Sequence, residues 1–587
     1  MASFLTIVGT LVLLYCSSLV YSIIRNLLRA KKAGFPYVII PWDQNHFIWM
    51  VISVPLRPWL IKTLPKWVYD RLGLTIYGFE FHEKLRPFEQ YAAPQGNDKS
   101  YAIVTTGKFE ISTRDPEIVA EVLRRPRDFM QVDITDLFMA RFGHNVLTSN
   151  GDNWSRHRKI VAGVLNERVS KTVFNESIHQ TEGMLDEVLG SGDVGETSRI
   201  FDMMKKITIN VLSGAGMGTN IAWTDKEKAK PGFKMTYIEA VKHVVNGVTG
   251  PIILPQWFLS HYPSFLPGYE TLKSLSYAVV EFPIHTRDLL DQERQRTLAG
   301  DGQTRSNIMS QLLQASEQGE GEKKGFKALS EDEMLGNLFI FTIAGFDTTA
   351  NTLSYALVIL SRYPSWQEWI FEEIDSIMPT DPSTDLDYTA LFPRTMRIQA
   401  FMFEVLRLFA PLIHIAKETK VPQTITTSRG AFHFPAYTTV YLNTVGVHID
   451  PDVWRNLNLA PNEARSETDE LVFRPTRWLN PVSEAQAIFK PPKGAYVPWS
   501  AGPRVCPGQK MAQVEFVAIF LRLFQGHRIE AVRLKTAEGE VESRDMMERR
   551  LDARMRDSIS ILTLQMNDVY DVEEGQEKGL KLRLIRR

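Results

Sequence analysis

Apolar and polar positions divide the chain into one membrane-type run, a few strand-like stretches and a majority of helical ones. Residues 4–24 are apolar or small throughout and carry no charge. At about 1.5 Å per residue, a helix there crosses a ~30 Å hydrocarbon layer. Arg25, Arg29, Lys31 and Lys32 follow directly, and no charged side chain precedes. The positive-inside rule then places the rest of the chain in the cytosol. A cleaved signal peptide would carry its positive charge ahead of a shorter apolar run. The run therefore reads as an uncleaved single-pass anchor over residues 1–28, with a membrane-proximal linker over 29–84. Within the linker, residues 47–56 are apolar but too few to span a bilayer. Trp42, Trp49, Trp59 and Trp67, with Arg57, Lys62 and Lys66, fit either a segment lying on the membrane surface or ordinary core.

Further on, residues 101–112 alternate like strands, and Arg114-Asp115-Pro116 opens a helix reaching about Arg124. The glycine-rich stretch 213–218 lacks the framing βαβ unit of a nucleotide loop and reads as a helix interruption. Residues 223–267, with their prolines and aromatics, read as loop-rich, and the charged, Gly-rich 316–325 as a surface loop. Ser330 and Glu333 form a capping box. The helix they open runs to Tyr363, where Pro364 stops it, and it spans about 50 Å. Its middle, Leu338 through Ile343, is uniformly apolar, so it is expected to be buried. A helix over 393–409, a hairpin over 424–434, a polar loop over 456–470 and a helix over 509–524 ended by Gly526 come next. Short strands at 559–564 and 580–585, either side of an acidic 571–577, close the chain. The prediction is a mainly α protein with a minor β portion.

Composition narrows the function without naming it. The 587 residues carry a formal net charge of −1, with 44% hydrophobic and 23% charged positions, as in ordinary globular proteins. That balance leaves no basic footprint for nucleic acid. The two cysteines make no disulfide framework, and Cys16 lies in the apolar run, so the folded part suits a reducing compartment.

The chemistry concentrates in Trp499-Ser500-Ala501-Gly502-Pro503-Arg504-Val505-Cys506-Pro507-Gly508. This is a tight loop presenting one sulfur where a helix begins. The positive end of the helix dipole favours a thiolate there. Gly502 and Gly508 permit positive φ and leave room for a flat group, Pro507 suits a first helical position, and Arg504 offers a cation to an anionic edge. A lone Cys in such a loop also fits a small buried apolar residue. The ten-residue pattern as a whole resembles the haem-binding loop of the cytochrome P450 family, with Trp499 where the family usually has Phe.

Three further motifs follow the same family's order. Trp154 and Arg158 lie four apart on one helix face; in the family this pair binds a haem propionate. Arg156, Arg158 and Lys159 form a basic face able to steer an acidic electron donor. Inside the long helix, Ala344-Gly345-Phe346-Asp347-Thr348 places an acid and an alcohol where burial is costly. By itself this fits a Thr hydroxyl bonded back to a carbonyl one turn earlier, with Asp347 in a salt bridge. By resemblance it is the oxygen-binding groove, with Ala344 and Gly345 making room and Asp347 and Thr348 relaying protons. Glu404, Arg407 and Arg477 resemble the family's structural triad. Lys417 stands where relatives often have an Arg contacting a propionate; Lys is a point charge and cannot fork. His448 has no second His or Cys at ligand spacing and reads as structural.

The resemblance covers roughly residues 85–565. It implies a cytochrome P450-like fold, with one catalytic domain over 85–587 behind the anchor, in the endoplasmic reticulum membrane. It implies haem bound through Cys506, electrons from an NADPH–haemoprotein reductase, since no flavin or nicotinamide fingerprint is present, and insertion of one oxygen atom into an apolar small molecule. Phe339, Thr342, Ile343 and Phe346, with Leu412 and Ile413, are the expected distal-pocket residues. Anchor, length and loops look most like fungal enzymes of secondary metabolism acting on terpenoid, polyketide or alkaloid intermediates. A haem-thiolate isomerase or dehydratase, and a non-catalytic membrane-anchored haem-binding protein, are the alternatives.

Overall fold

The structure, a computed structural model, describes residues 2–587 except 41, 133–142, 226–227, 248–253, 300–306, 323–327, 380, 382–383, 461–462, 481–486, 537–538, 561 and 568–579. The acidic segment 571–577 therefore lies outside the described residues. The chain forms two compact units, one of Met1–Val132, Arg407–Phe473 and Phe489–Cys506, the other of Asp133–Leu406, Arg474–Ile488 and Pro507–Arg587.

The first unit is built on a six-stranded mixed sheet. Its order is Tyr37–Ile39, Ser100–Val104, Phe109–Thr113, Thr438–Asn443, His414–Thr419, Phe129–Gln131. The first pair and the Phe109–Thr113/Thr438–Asn443 pair are parallel, and the rest antiparallel. Helix Pro116–Arg124 forms where predicted: Asp115 caps it by accepting from the Glu117 and Ile118 amides, and Pro116 takes the first turn, where its missing N–H costs nothing. The hairpin Gln423–Thr427/Gly430–Phe434 also forms, with Gly430 at φ 122.

The N-terminal helix runs Ala2–Ala33, past the expected end of the anchor at residue 28. Thr6–Ala33 is long and apolar enough to cross a membrane, and none of its most apolar window is buried. Its last turns belong to the folded unit. Asn26 Nδ2 donates to the Thr105 and Gly107 carbonyls at 3.0 and 2.9 Å, and Ala30 and Ala33 pack with Val104, Phe109 and Val119. The linker then forms helix Phe47–Thr63. Ile48, Ile52, Leu56 and Trp59 make an exposed stripe on it, while Leu60 is buried and Trp49 Nε1 donates to the Thr75 carbonyl at 3.0 Å. One face of this helix is core, and the other is apolar and exposed.

The second unit is mainly helical. It includes Gly151–Val164, Glu167–Leu189, Ile200–Val211, Tyr269–Leu298, Glu331–Arg362, Pro364–Ile377, Gln509–Gln525 and Arg544–Arg556. A three-stranded sheet (His527–Ala531, Leu582–Arg586, Val194–Thr197) and the hairpin Ser558–Ser560/Leu564–Met566 complete it. The capping box forms as read: Ser330 Oγ accepts from the Glu333 amide at 3.2 Å, and a Glu333 oxygen accepts from the Ser330 amide at 2.9 Å. Stretch 213–218 is indeed a helix interruption, a π-type turn Leu212–Gly216.

Several expectations are corrected here. Within the loop-rich 223–267, an unread helix forms, Tyr237–Asn246, opened by a second capping box, Thr236 with Glu239. Helix Ile308–Glu322 extends into the stretch read as a surface loop. The strand read at 559–564 is two strands with a turn between them. Helix Arg544–Arg556 went unread because its apolar stripe is thin, Met547, Leu551 and Met555 standing four apart among charged residues.

Candidate functional site: the cysteine loop and the long helix

The cysteine loop lies in the first unit. It closes on itself: the Cys506 amide donates to the Trp499 carbonyl at 2.8 Å, the Val505 amide to Gly502 at 3.1 Å, and the Ser500 amide to Val497 at 3.0 Å. Gly502, at φ +65, is required for a second reason. A Cβ there would sit 2.5 Å from the Leu123 carbonyl, at the end of helix Pro116–Arg124. Ser500 is also left-handed, at φ 62. Gly508 is not; at φ −85 it caps helix Gln509–Gln525, and Pro507 precedes the cap instead of taking the first helical position. His448 tethers the loop from beneath. Its Nε2 accepts from the Val497 amide at 2.9 Å, which leaves the proton on Nδ1 to donate to the Arg407 carbonyl at 3.2 Å. Its expected structural role is met. The Cys506 side chain is exposed.

Two cations lie in the same unit as the loop. Arg504 is pulled down to about 10 by burial. Lys417, on central strand His414–Thr419, is 4% exposed and donates Nζ to Gln131 Oε1 at 2.9 Å. Burial and the nearby Arg504 charge push Lys417 down to about 7. An anion near this buried lysine would favour its charged form.

The long helix lies in the second unit. Along helix Glu331–Arg362, Thr342, Ile343, Phe346, Asp347, Thr349 and Ala350 are buried, yet Ala344 is exposed and Gly345 and Thr348 are half-buried. Positions 344, 345 and 348 share one face, so the buried helix has one open strip. Thr348 Oγ1 donates to the Ala344 carbonyl at 2.7 Å, one turn back. Asp347 has no ion-pair partner among the described residues; it accepts from the Thr563 hydroxyl. Burial raises its pKa, and the Thr563 bond opposes the rise. Gly345 also has a packing reason to be small, since a Cβ would come within 3.1 Å of Leu212. Phe339, Ile343 and Phe346 share an apolar cluster with Val241, Val244 and Phe282, and Leu562 packs against it. Ile413 is 2% exposed, whereas Leu412, in the first unit, is 48% exposed.

On helix Gly151–Val164, Trp154 packs against the same cluster and Arg158 is half-buried on the same face. Arg156 leaves the expected basic face, because Nη1 donates to Glu333 Oε2 at 2.8 Å. That bond and charge hold Glu333 down to about 2. Glu404, fully buried, accepts from Arg477 Nε at 3.0 Å, Trp478 Nε1 at 3.0 Å and the Arg474 amide at 2.9 Å. Arg407 donates to the carbonyls of His448, Glu470 and Val472 at 2.9, 2.6 and 3.1 Å. These are bracing contacts. Thr563, Asn351 and Trp478 were missed by sequence reasoning. Only Trp478, one residue past Arg477, carried a positional signal.

The family model for cytochrome P450 matches residues 100–547, and the chain belongs to the cytochrome P450 family. It is thus a haem-thiolate monooxygenase that takes electrons from a redox partner and acts on a small molecule. Among its relatives, the phomenoic acid biosynthesis cluster cytochrome P450 monooxygenase of Leptosphaeria maculans is 38% identical over the full length of both chains. Cytochrome P450 monooxygenase ORF6 of Penicillium roqueforti is 24% identical, covering 89% of this chain and 90% of that one. Among solved structures, the heme domain of cytochrome P450DA aligns with a TM-score of 0.61 at 18% identity, covering 86% of this chain and 92% of that one. The expected mainly α fold with a minor β portion holds. The N-terminal apolar helix and the family together indicate a membrane anchor. The residues of the cysteine loop's own unit fit haem: an exposed sulfur on a closed loop, with the cations Arg504 and Lys417 available to its carboxylates.

Proposed function

We propose that this protein inserts one oxygen atom from dioxygen into an apolar intermediate of fungal secondary metabolism, of terpenoid, polyketide or alkaloid type. Cys506 would hold the haem iron through its sulfur, and Trp499, Gly502 and Gly508 shape the loop that offers it. Arg504 and Lys417, with Trp154 and Arg158, hold the haem's carboxylates. Haem held through a thiolate would supply the chemistry that cleaves the O–O bond. The chain's own residues then bring protons: Asp347 is the acid and Thr348 the hydroxyl beside it. Substrate, dioxygen, two electrons and two protons give oxygenated product and water. Ala344 and Gly345 leave room for dioxygen, and the apolar cluster around Phe339, Ile343 and Phe346 favours an apolar substrate and excludes water.

The electron donor is an NADPH–haemoprotein reductase, and the protein sits in the endoplasmic reticulum membrane with its catalytic part cytosolic, as the basic residues after the apolar run favour. The relative named for a phomenoic acid cluster, matching this chain end to end, supports the assignment to secondary metabolism. The observation that carries the reading is the exposed Cys506 sulfur on a loop closed by the Cys506–Trp499 bond. Cys506→Ala is expected to abolish the absorbance band of the reduced carbon-monoxide complex; a Cys506→Ala protein that keeps that band sinks the ligand assignment. Substrate-induced spectral shifts of the holoenzyme against terpenoid, polyketide and alkaloid scaffolds identify the substrate class.

A further inference from the structure

The turn between strands Ser558–Ser560 and Leu564–Met566 is fastened to one stripe of the long helix. Positions 347, 351 and 355 are four apart, so their side chains stack along a single face. Asp347 Oδ2 accepts from the Thr563 hydroxyl, 216 residues away in the chain. Asn351 Nδ2 donates to Thr563 Oγ1 at 2.9 Å. Two turns along, the Tyr355 hydroxyl meets Ser558 Oγ at 2.7 Å. Ser558 Oγ already donates to the Met555 carbonyl at 2.7 Å, so Tyr355 is the donor. All of these groups except Asn351 are at most 5% exposed, and Asn351 is 7% exposed.

The directions matter. A threonine hydroxyl has one proton and two lone pairs. Asn351 gives a proton to the Thr563 oxygen, so the Thr563 proton is directed at Asp347. Next to Thr563, Leu562 packs against the apolar cluster that holds Phe339, Ile343 and Phe346. One turn therefore touches the cluster with one residue and the acid with the next.

We propose that Thr563, held by Asn351, is the positioning residue of Asp347, fixing the carboxyl's rotamer and its readiness to give up a proton. This rests on the reading of Asp347 as the acid in the proton relay. Burial works to keep this carboxyl protonated. The Thr563 bond, the Asn351 amide and the Lys205 charge on helix Ile200–Val211 pull the other way. Removing the hydroxyl leaves burial less opposed, so the carboxyl holds its proton to higher pH. The loosened side chain also delivers protons less reliably. Reduced dioxygen then leaves more often as hydrogen peroxide, which takes two electrons and two protons, than as water, which takes four of each.

The test uses holoenzyme with an NADPH–haemoprotein reductase and no added substrate, comparing wild type, Thr563→Val, Thr563→Ser and Asp347→Asn. Two quantities are read: hydrogen peroxide released per NADPH, and the infrared carbonyl band of the protonated carboxyl that Asp347→Asn removes. Thr563→Val is expected to raise the peroxide fraction severalfold and to move the midpoint of the band's titration up by about one pH unit. Thr563→Ser is expected to restore both. A Thr563→Val protein whose band titrates as in wild type overturns the proposal. If the band shifts but neither Thr563→Val nor Asp347→Asn changes the peroxide fraction, Thr563 does position the carboxyl, and the proton-relay reading is what fails. Should Thr563→Val lose its haem, Asn351→Ala, which keeps the hydroxyl but frees it, is expected to shift the band in the same direction by less; no shift there overturns the proposal equally.

Discussion

Lys417 offers a measurement of haem binding that needs no substrate. Its side chain is almost wholly buried, and burial together with Arg504 brings it down to about 7. A haem carboxylate beside it would restore the charged form and return its pKa toward the ordinary ~10.4. The sign follows by linkage. Below pH 7, Lys417 is charged with or without haem, and the attraction is fully present. Between 7 and the raised pKa, the haem-free protein holds a neutral lysine that must take up a proton when haem binds. Haem affinity then falls about tenfold for each pH unit above 7, on the order of 100-fold by pH 9. The ligand thiol loses its proton on binding and tilts the profile the other way, so the quantity to compare is the ratio of wild type to Lys417→Met. Partition of haem between the holoenzyme and a scavenging globin, from pH 6 to 9, gives that ratio. It is expected to be flat below pH 7 and to decline above it. Lys417→Arg, which stays charged, should show no such decline. A ratio that does not change with pH refutes the placement of Lys417 beside a haem carboxylate.

Three further substitutions test the supports of the site. Gly502→Ala combines a left-handed φ with a Cβ 2.5 Å from the Leu123 carbonyl, and is expected to cost about 2–4 kcal/mol; unchanged resistance to urea argues against the close approach. Trp478→Phe removes one of the donors to Glu404 and should cost about 1.5–3 kcal/mol. Glu404→Leu strands the buried Arg477 guanidinium and should cost about 3–5 kcal/mol. Urea unfolding followed by far-UV circular dichroism ranks the two, and a Glu404→Leu protein as resistant as wild type refutes the bracing role.

What the sequence determined by itself was whatever depends on neighbours along the chain. The capping box at Ser330 and Glu333, the Asp115–Pro116 helix start, the Arg429-Gly430 hairpin and the tight loop before Cys506 are short-range hydrogen bonds and allowed dihedrals, and they formed as read. The order of four motifs was enough for the family. Local reading failed where two structures share one pattern. A run with no Gly or Pro read as one strand at 559–564 and holds the end of one strand and the start of the next, and an arginine-rich helix at Arg544–Arg556 showed only the thin apolar stripe of Met547, Leu551 and Met555.

Only the tertiary structure decided which polar groups meet. It gave Asp347 an alcohol from Thr563 in place of a salt bridge, took Arg156 out of the basic face by pairing it with Glu333, and set Lys417 close enough to Arg504 to weaken its charge. The reason is physical. Removal from water makes each buried charge or hydroxyl depend on one specific partner, and folding can bring that partner from anywhere in the chain.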